Sequence, residues 1–423
     1  MTKEQMNEKI AEQVEMAFDE QIAFLSKLIS FPTMAGQEGP CQTFFADSCR
    51  DMGLNVELFQ ADMQTIKAHP AYTEIGVPYE GRPNVIARLP GQGGGRSLIL
   101  NGHIDEVPPE PLSEWTNSPW TAVVKGNRLY GRGALDMKGG VSAMFFALRA
   151  LLAAGLKLKG QVILETVVEE ELGGSGGTLA CLLHGVKADA MVTPECSQQR
   201  IWISHPGIKY FRVKVIGRPT HAALSHEGVN AIVKMVPIIT ALDLLDKERA
   251  ARLSYPLLSQ DTGRPCNLSI GKMLAGEWVS TVAGWAVIDC RIGFVPGESG
   301  ESVMKEVERT VSEAVKDDPW FIEHPPEIEW FGWNAEPWVE PENSPLIKQM
   351  QETSAKVPGM EAKVTAASCG LDSRFGVMFG VPSISFGPKG GSLHGVDEWV
   401  DLESLKGLTK TYALFICDWC GVS

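Results

Sequence analysis

The chain has 423 residues, with 38 basic against 52 acidic side chains and a formal charge of −14 when histidine is neutral. So acidic a chain repels phosphate backbones and anionic lipid, which argues against nucleic acid or a membrane as partner. A hydrophobic content of 44% and a charged content of 21% exclude a disordered or fibrous protein, and the length is that of two or three domains. The first twenty residues mix charges of both signs and lack an apolar core, so no secretory leader is expected. The longest greasy stretch, 143–155, is interrupted by Arg149 and too short to span a bilayer. Nine cysteines, an odd number, suit reduced thiols and a cytoplasmic location better than a disulfide framework. The Cys417–Cys420 pair falls in the apolar pattern of a last helix and reads as core packing.

Taken in chain order, Ser97–Asn101 (SLILN) is a short apolar run of the kind a buried parallel strand presents. Gly139 and Gly140 open a helix in which Val141, Met144, Phe145, Leu148, Leu151 and Leu152 keep helical spacing. Gln161–Val168 is a second strand, a helix follows around Thr178–His184, and Ala188–Val192 is a third strand. Strand and helix in alternation predict an α/β fold on a mainly parallel sheet.

The texture changes near His205. Ile208–Ile216 alternates as a half-exposed strand should, and a helix from Val229 to Lys247 is expected to bend or break at Pro237. Asn267–Leu274 and Trp285–Phe294 are strands, the second with Ala286, Ile288, Cys290, Ile292 and Phe294 on one face. Helix Glu301–Lys316 and strand Glu327–Trp333 complete a β-α-β-β-α-β order, that of a ferredoxin-like unit. One face of its sheet would stay bare without a partner, which makes 205–332 a candidate lid and dimerisation domain. The α/β texture returns with strands near Glu361–Thr365 and Pro382–Phe386 and a helix over Leu402–Trp419. The catalytic domain is thus expected to be split, 1–204 and 333–423.

The chemistry-bearing residues fall just after predicted strands or at the opening of a helix, where ligand sites of open parallel sheets lie. His103 and Asp105 (GHIDEVP) follow the first strand; two apart in an extended segment, they point the same way, so the carboxylate can orient the imidazole. Asp136 (GRGALDMKGG) precedes the glycine-opened helix and could equally be its N-cap. Glu169, Glu170 and Glu171 follow the second strand, Glu195 (TPECS) the third, and His394 (SLHGVDE) a late one. Adjacent buried carboxylates are costly unless a cation compensates. Two histidines with at least three carboxylates on one sheet edge suit Zn²⁺, with Co²⁺ or Mn²⁺ as substitutes. The surplus of carboxylates allows two ions, one bridging carboxylate and one glutamate left as a base.

The motifs GHIDEVP, GRGALDMKGG, EEELGG, TPECS and SLHGVDE, in this order, resemble the zinc-dependent aminoacylase and carboxypeptidase family that includes acetylornithine deacetylase and succinyl-diaminopimelate desuccinylase. The resemblance spans nearly the whole chain. It implies two zinc ions, one held by His103 and Glu195 and the other by Glu171 and His394, with Asp136 bridging. Asp105 would orient His103, and Glu170 would be the general base. His221 (GRPTHAALSHEG) would reach across a homodimer to the substrate carbonyl. Arg291 (IDCRIGF) and Arg374 (CGLDSRFG) suit carboxylate recognition by a guanidinium fork. Glu169 replaces the usual Asp, Cys196 after Glu195 places a thiol beside the site that could make it oxidation-sensitive, and the lid turn Glu277–Gly284 departs from the family's pocket segment.

The reaction expected is hydrolysis of the amide of a small N-acyl substrate, with an N-acyl amino acid as leading candidate. A dipeptidase or carboxypeptidase is the first rival. A deformylase or deacylase of another amine, such as an acylaminopyrimidine, is the second; tryptophans near Trp115, Trp120 and Trp278 leave room for an aromatic substrate. From another class, a non-catalytic metal-binding scaffold would tend to have lost Glu170 or a ligand, and none is lost. The Gly91–Gly95 stretch lacks GxGxxG order, which speaks against a dinucleotide enzyme.

Overall fold

The structure, a computed structural model, describes residues 2–260, 263–360 and 362–423. Its larger part is built on strands β1 (Asn55–Phe59), β2 (Asn84–Leu89), β3 (Leu98–His103), β4 (Val162–Val167), β5 (Met191–Thr193) and β6 (Ile201–Trp202). The chain then forms β7 (Gly207–Ile216), β8 (Leu268–Ala275), β9 (Trp285–Phe294) and β10 (Glu327–Ala335) before returning as β11 (Val364–Thr365) and β12 (Ser383–Ser385). The first sheet has eight strands in the order β1-β2-β4-β3-β5-β12-β6-β11. Its centre is parallel, from β4 through β3 and β5 to β12. Helices cover both faces, so β3, β4 and β5 are buried at every residue; strands buried on both faces read as unbroken apolar runs. The Lys138–Ala153 helix is wedged against β3 and the helices Phe18–Ile29 and Leu402–Cys420. Covered on all sides, it is apolar nearly all round.

The inserted unit has the predicted order: β7, helix Ala231–Arg252, β8, β9, helix Gly300–Val315, β10. Its sheet runs β8-β9-β7-β10, antiparallel throughout. Phe211, Val213, Ala286, Ile288 and Ile292 pack against Met235, Ile238, Val303 and Val307 in a core of its own. The other face carries Tyr210, Arg212, Lys214, Asp289 and Arg291, all half-buried. The two parts meet where Ser204–His205 pairs with Trp338–Val339 and where Gly332 takes a left-handed φ of +59°.

Four local expectations are corrected. The helix through Pro237 is continuous; Pro237 and Val233 both face solvent, so the carbonyl deprived of its N–H partner can be hydrated. The strand expected at Ala188 starts at Met191, because the Asp189 carboxylate accepts from the Ser97 N–H at 2.7 Å and holds a turn there. The helix expected at Thr178 opens earlier, as a wide turn Ser175–Leu179 running into Ala180–Leu183. The strand near 361–365 begins at Val364, and residue 361 lies outside the described residues. A small antiparallel sheet of Gly390–Gly391, Trp399–Asp401, Arg128–Tyr130 and Val123–Lys125 has no counterpart in the sequence reading. Cys417 and Cys420 are unpaired and buried, as core residues. Among the described residues, no helix is long and apolar enough to cross a membrane.

Candidate metal centre

Three turns at the carboxyl edge of the parallel sheet and one distant loop converge on Asp136. Strand β3 ends on His103, whose Nε2 lies 3.1 Å from Asp136 Oδ1 and 4.0 Å from Glu195 Oε1. His394 Nε2 lies 3.3 Å from Asp136 Oδ2 and 3.3 Å from Glu171 Oε1. Two triads result, His103–Asp136–Glu195 and Asp136–Glu171–His394, each with ligand atoms within 4.8 Å of one another. The two Asp136 oxygens face different imidazoles, as a bridging carboxylate's would. Asp136 is no helix cap: Met137 holds the N-cap position, without a side-chain bond.

The local backbone explains the placement. Glu169 adopts a left-handed φ of +73° directly after β4, turning the chain so that Glu170 and Glu171 enter the site. His394 lies in the loop between the Gly390–Gly391 and Trp399–Asp401 strands of the small sheet, also at positive φ, +57°. Pairing of Trp399–Asp401 with Arg128–Tyr130 carries its loop to the segment leading into Asp136.

Asp105 acts differently from expectation. The His103 Nδ1 bonds the Asp105 main-chain oxygen at 3.0 Å, and the carboxylate stands 3.7 Å away. That carboxylate accepts from the Glu170 and Glu171 N–H groups, both at 3.1 Å. Asp105 therefore orients the ring through its backbone and clamps the glutamate turn with its side chain.

The electrostatics ask for positive charge. Burial pushes Glu195 up to about 8 and Asp105 to about 7. Burial and the neighbouring Glu195 raise Glu170 well above the carboxylate range. His394 is lifted to about 10 by its bonds to Asp136 and Glu171. Burial opposes charging of His103, but Asp136, Asp105 and Glu195 raise it nonetheless. Protons here do what a cation would do. Among the described residues Glu170 Oε1 is buried without a hydrogen-bond partner, and Glu171 Oε1 is buried with only the His394 imidazole, 3.3 Å away, beside it. Under-satisfied carboxylate oxygens beside imidazole nitrogens fit a borderline divalent cation. Cys196 Sγ lies 4.0 Å from Asp136 Oδ2, yet it is buried, and burial with the adjacent carboxylates raises its thiol well above the usual range. That is the opposite of a reactive thiolate.

The remaining candidates are spread. His221 is exposed in the lid, where its Nδ1 accepts from the Ala223 N–H at 3.1 Å and its backbone bridges to Thr281. Arg291 is half-buried on β9, in register with Tyr210 and Ser269. Arg374 is buried; Nη1 donates to the Leu371 carbonyl at 2.8 Å and Nη2 to the Gly173 carbonyl at 2.7 Å. It thereby braces the glycine turn that follows Glu170 and Glu171. Trp115 donates to the Pro109 carbonyl and Trp120 to Glu106, while Trp278 is exposed.

Two residues went unnoticed in the sequence. The Glu398 carboxylate accepts from the Leu135 and Asp136 N–H groups at 2.8 and 3.1 Å, and from Arg132 Nη1 at 2.7 Å. Arg132 Nη2 reaches the His394 carbonyl at 3.3 Å. Both sit inside quoted motifs, four residues from Asp136 and His394, and that adjacency was the available signal.

A parallel sheet with paired imidazole–carboxylate triads at its strand ends and a ferredoxin-like insertion is the frame of a metal-dependent amide hydrolase. Residues 99–418 match the model for Peptidase family M20/M25/M40, and the chain belongs to that family. The resemblance drawn from the motifs is thereby borne out, and with it hydrolysis of a linear amide. The chain is 29% identical over 438 residues to an N-formyl-4-amino-5-aminomethyl-2-methylpyrimidine deformylase of Halalkalibacterium halodurans, covering 98% of this chain and 97% of the relative. Among solved structures it is similar to the dipeptidase Dug1p of Saccharomyces cerevisiae, with a TM-score of 0.76, 14% identity and 98% of each chain covered. It is also similar to the YXEP protein of Bacillus subtilis, described as a dinuclear metal binding peptidase, with a TM-score of 0.64, 16% identity and coverage of 95% and 98%. Likeness at these identities shows a shared fold.

Proposed function

We propose that the protein removes a short acyl group, formyl above all, from an amine borne on a small heteroaromatic ring of the aminopyrimidine type. The observation that carries this reading is the end-to-end similarity to the deformylase, over 98% of the chain. It displaces the N-acyl amino acid as leading substrate. The Arg374 fork is consistent with the change, since its two terminal nitrogens are already engaged by main-chain carbonyls.

In this reading His103, Asp136 and Glu195 hold one zinc ion and Asp136, Glu171 and His394 a second, with Co²⁺ or Mn²⁺ as substitutes. Bound metal supplies Lewis acidity, polarising the carbonyl and making water a nucleophile at neutral pH. Glu170 takes the proton from the attacking water and delivers it to the departing amine. Its main chain is held for this by Asp105, as is that of Glu171. Residues 1–204 and 333–423 form the catalytic body and 205–332 a lid through which two copies pair. His221 of the partner subunit would donate to the developing oxyanion, a contribution of about 3–4 kcal/mol in comparable sites. Arg291, on the open face of the lid sheet, would donate to an acceptor on the substrate. The enzyme would work in the cytoplasm.

The test is amine release by zinc-loaded protein from N-formyl aminomethylpyrimidine, N-acetyl and N-formyl amino acids, and dipeptides, with Glu170→Ala in parallel. The expected result is turnover of the formylated pyrimidine, lowered about 10²- to 10⁴-fold in Glu170→Ala with metal content unchanged. Turnover confined to dipeptides or N-acyl amino acids would overturn the ring-amine reading.

A further inference from the structure

Where the two parts of the chain meet, a cavity of about 350 Å³ lies between the 72–74 loop and the lid strands β7 and β10. Aromatic rings, among them Tyr72, Tyr210, Phe331 and Trp333, share its lining with Glu74, Lys209 and Met304. The volume is at the small end of ligand sites, which run from about 300 to 1,000 Å³. Tyr210 is in register with Arg291 on one side and with Phe331 on the other. Tyr210 and Arg291 therefore share the lid face turned away from its helices. The Tyr210 and Phe331 rings meet edge-to-face, centroids 6.2 Å apart at 64°. Gly332 separates Phe331 from Trp333 at a left-handed φ of +59°, and a Cβ there would stand 3.2 Å from the Tyr210 ring.

Trp333 joins this wall to the metal centre. Its indole N–H donates to the main-chain oxygen of Glu171 at 3.3 Å. Its ring lies over the Arg374 guanidinium at 5.0 Å and fits so closely against Gly370 that a Cβ there would lie 2.4 Å from it. The cavity thus borders the backbone of a candidate metal ligand. Arg291, beside Tyr210, has no carboxylate within ion-pair distance among the described residues, and it acts on both Tyr210 and Cys369 electrostatically. Arg291 does not itself line the cavity; the flat aromatic faces that do suit a planar ring.

We propose that Tyr210, Phe331 and Trp333 form the specificity pocket for the amine half of the substrate, receiving a planar heteroaromatic ring. The inference rests on the ring-amine reading above, and it adds the residues that select for the ring. A pocket built for an amino acid side chain plus carboxylate would have less use for a wall of aromatic faces.

The test compares Tyr210→Ala, Tyr210→Phe and Phe331→Leu with the unmodified chain. The probes are N-formyl aminomethylpyrimidine, N-formylbenzylamine and, as internal reference, N-formylbutylamine. In Tyr210→Ala the preference in kcat/KM for the ring-bearing amides over the butyl amide should fall about 5- to 100-fold, carried by KM. Tyr210→Phe, which keeps the face, should restore most of that preference, and Phe331→Leu should fall between. Calorimetric binding of the free amines, aminomethylpyrimidine and benzylamine, requires no turnover and should weaken in parallel. An unchanged preference and unchanged amine binding in both Tyr210→Ala and Phe331→Leu would overturn the pocket while leaving deformylation intact. A preference for the benzyl over the butyl amide that Tyr210→Ala abolishes, without turnover of the pyrimidine, would instead retain the pocket and refute the proposed substrate.

Discussion

Glu398→Gln is the most informative single substitution the site offers. The carboxylate accepts from Arg132 Nη1, Gly133 N, Leu135 N and Asp136 N at 2.7, 3.1, 2.8 and 3.1 Å. Both side chains of the Arg132–Glu398 pair are 1% exposed. Glutamine keeps the shape but has one oxygen, so its amide N–H₂ must face two of the four donors. A buried donor left without an acceptor costs about 1–3 kcal/mol. Stripping the counter-charge from a buried pair costs about 3–5 kcal/mol. The two costs concern the same atoms, so the expected loss in unfolding free energy is about 3–5 kcal/mol rather than their sum.

The functional consequence follows from what the pair holds. Glu398 fixes the main chain of Asp136, and Arg132 fixes that of His394. Both belong to the Asp136–Glu171–His394 triad. Loosening such supports weakens metal affinity by about 10- to 100-fold. Because Asp136 belongs to both triads and His394 to one, zinc titration against a competing chelator should show both sites weakened, the Asp136–Glu171–His394 site more, and excess zinc should recover activity. Two unaltered binding steps together with an unchanged unfolding free energy would refute the reasoning.

Two further outcomes follow. Thiol labelling of the native protein should start at Cys369, the single exposed cysteine of the nine, and reach Cys196 only on unfolding; modification of native Cys196 at a comparable rate would contradict its burial. Asp418 is pushed up by burial but held below its usual range by bonds from Lys3 and Lys356. A depressed folded-state pKa contributes stability that is full above the unfolded value, about 3.9, and is lost as pH falls through the folded one. Asp418→Asn should accordingly cost roughly 1 kcal/mol at pH 7 in denaturant unfolding, a cost that shrinks as pH falls below about 3.9; a cost that does not change with pH would show that the charge is not responsible.

Much of the site was legible because it is a property of strand ends. His103, Glu170, Glu171 and Glu195 each follow an apolar run, and parallel topology carries such ends to one edge. The alternation in β9 likewise announced which face is buried, and Ala286, Ile288 and Cys290 are in the lid core. Local pattern failed where a solvent molecule or a distant segment decides. Pro237 breaks nothing, since its helix face is wet. The Asp105 carboxylate turns from the neighbouring imidazole to two N–H groups 65 and 66 residues away.

The sequence by itself determined the α/β class, the inserted ferredoxin-like unit, the family, and the residue types of a metal-dependent amide hydrolase, because periodicity and motif order are written along the chain. Only the tertiary structure decided that the two Asp136 oxygens turn to different imidazoles, that Glu398 and Arg132 brace the site, that Arg374 is tied to main-chain carbonyls, and that rings gather where the two parts of the chain meet. Those outcomes depend on distances between segments far apart in sequence, such as the 262 residues between Asp136 and Glu398. A buried charge takes whichever partner the fold brings within about 3 Å, and nothing in its immediate sequence names that partner.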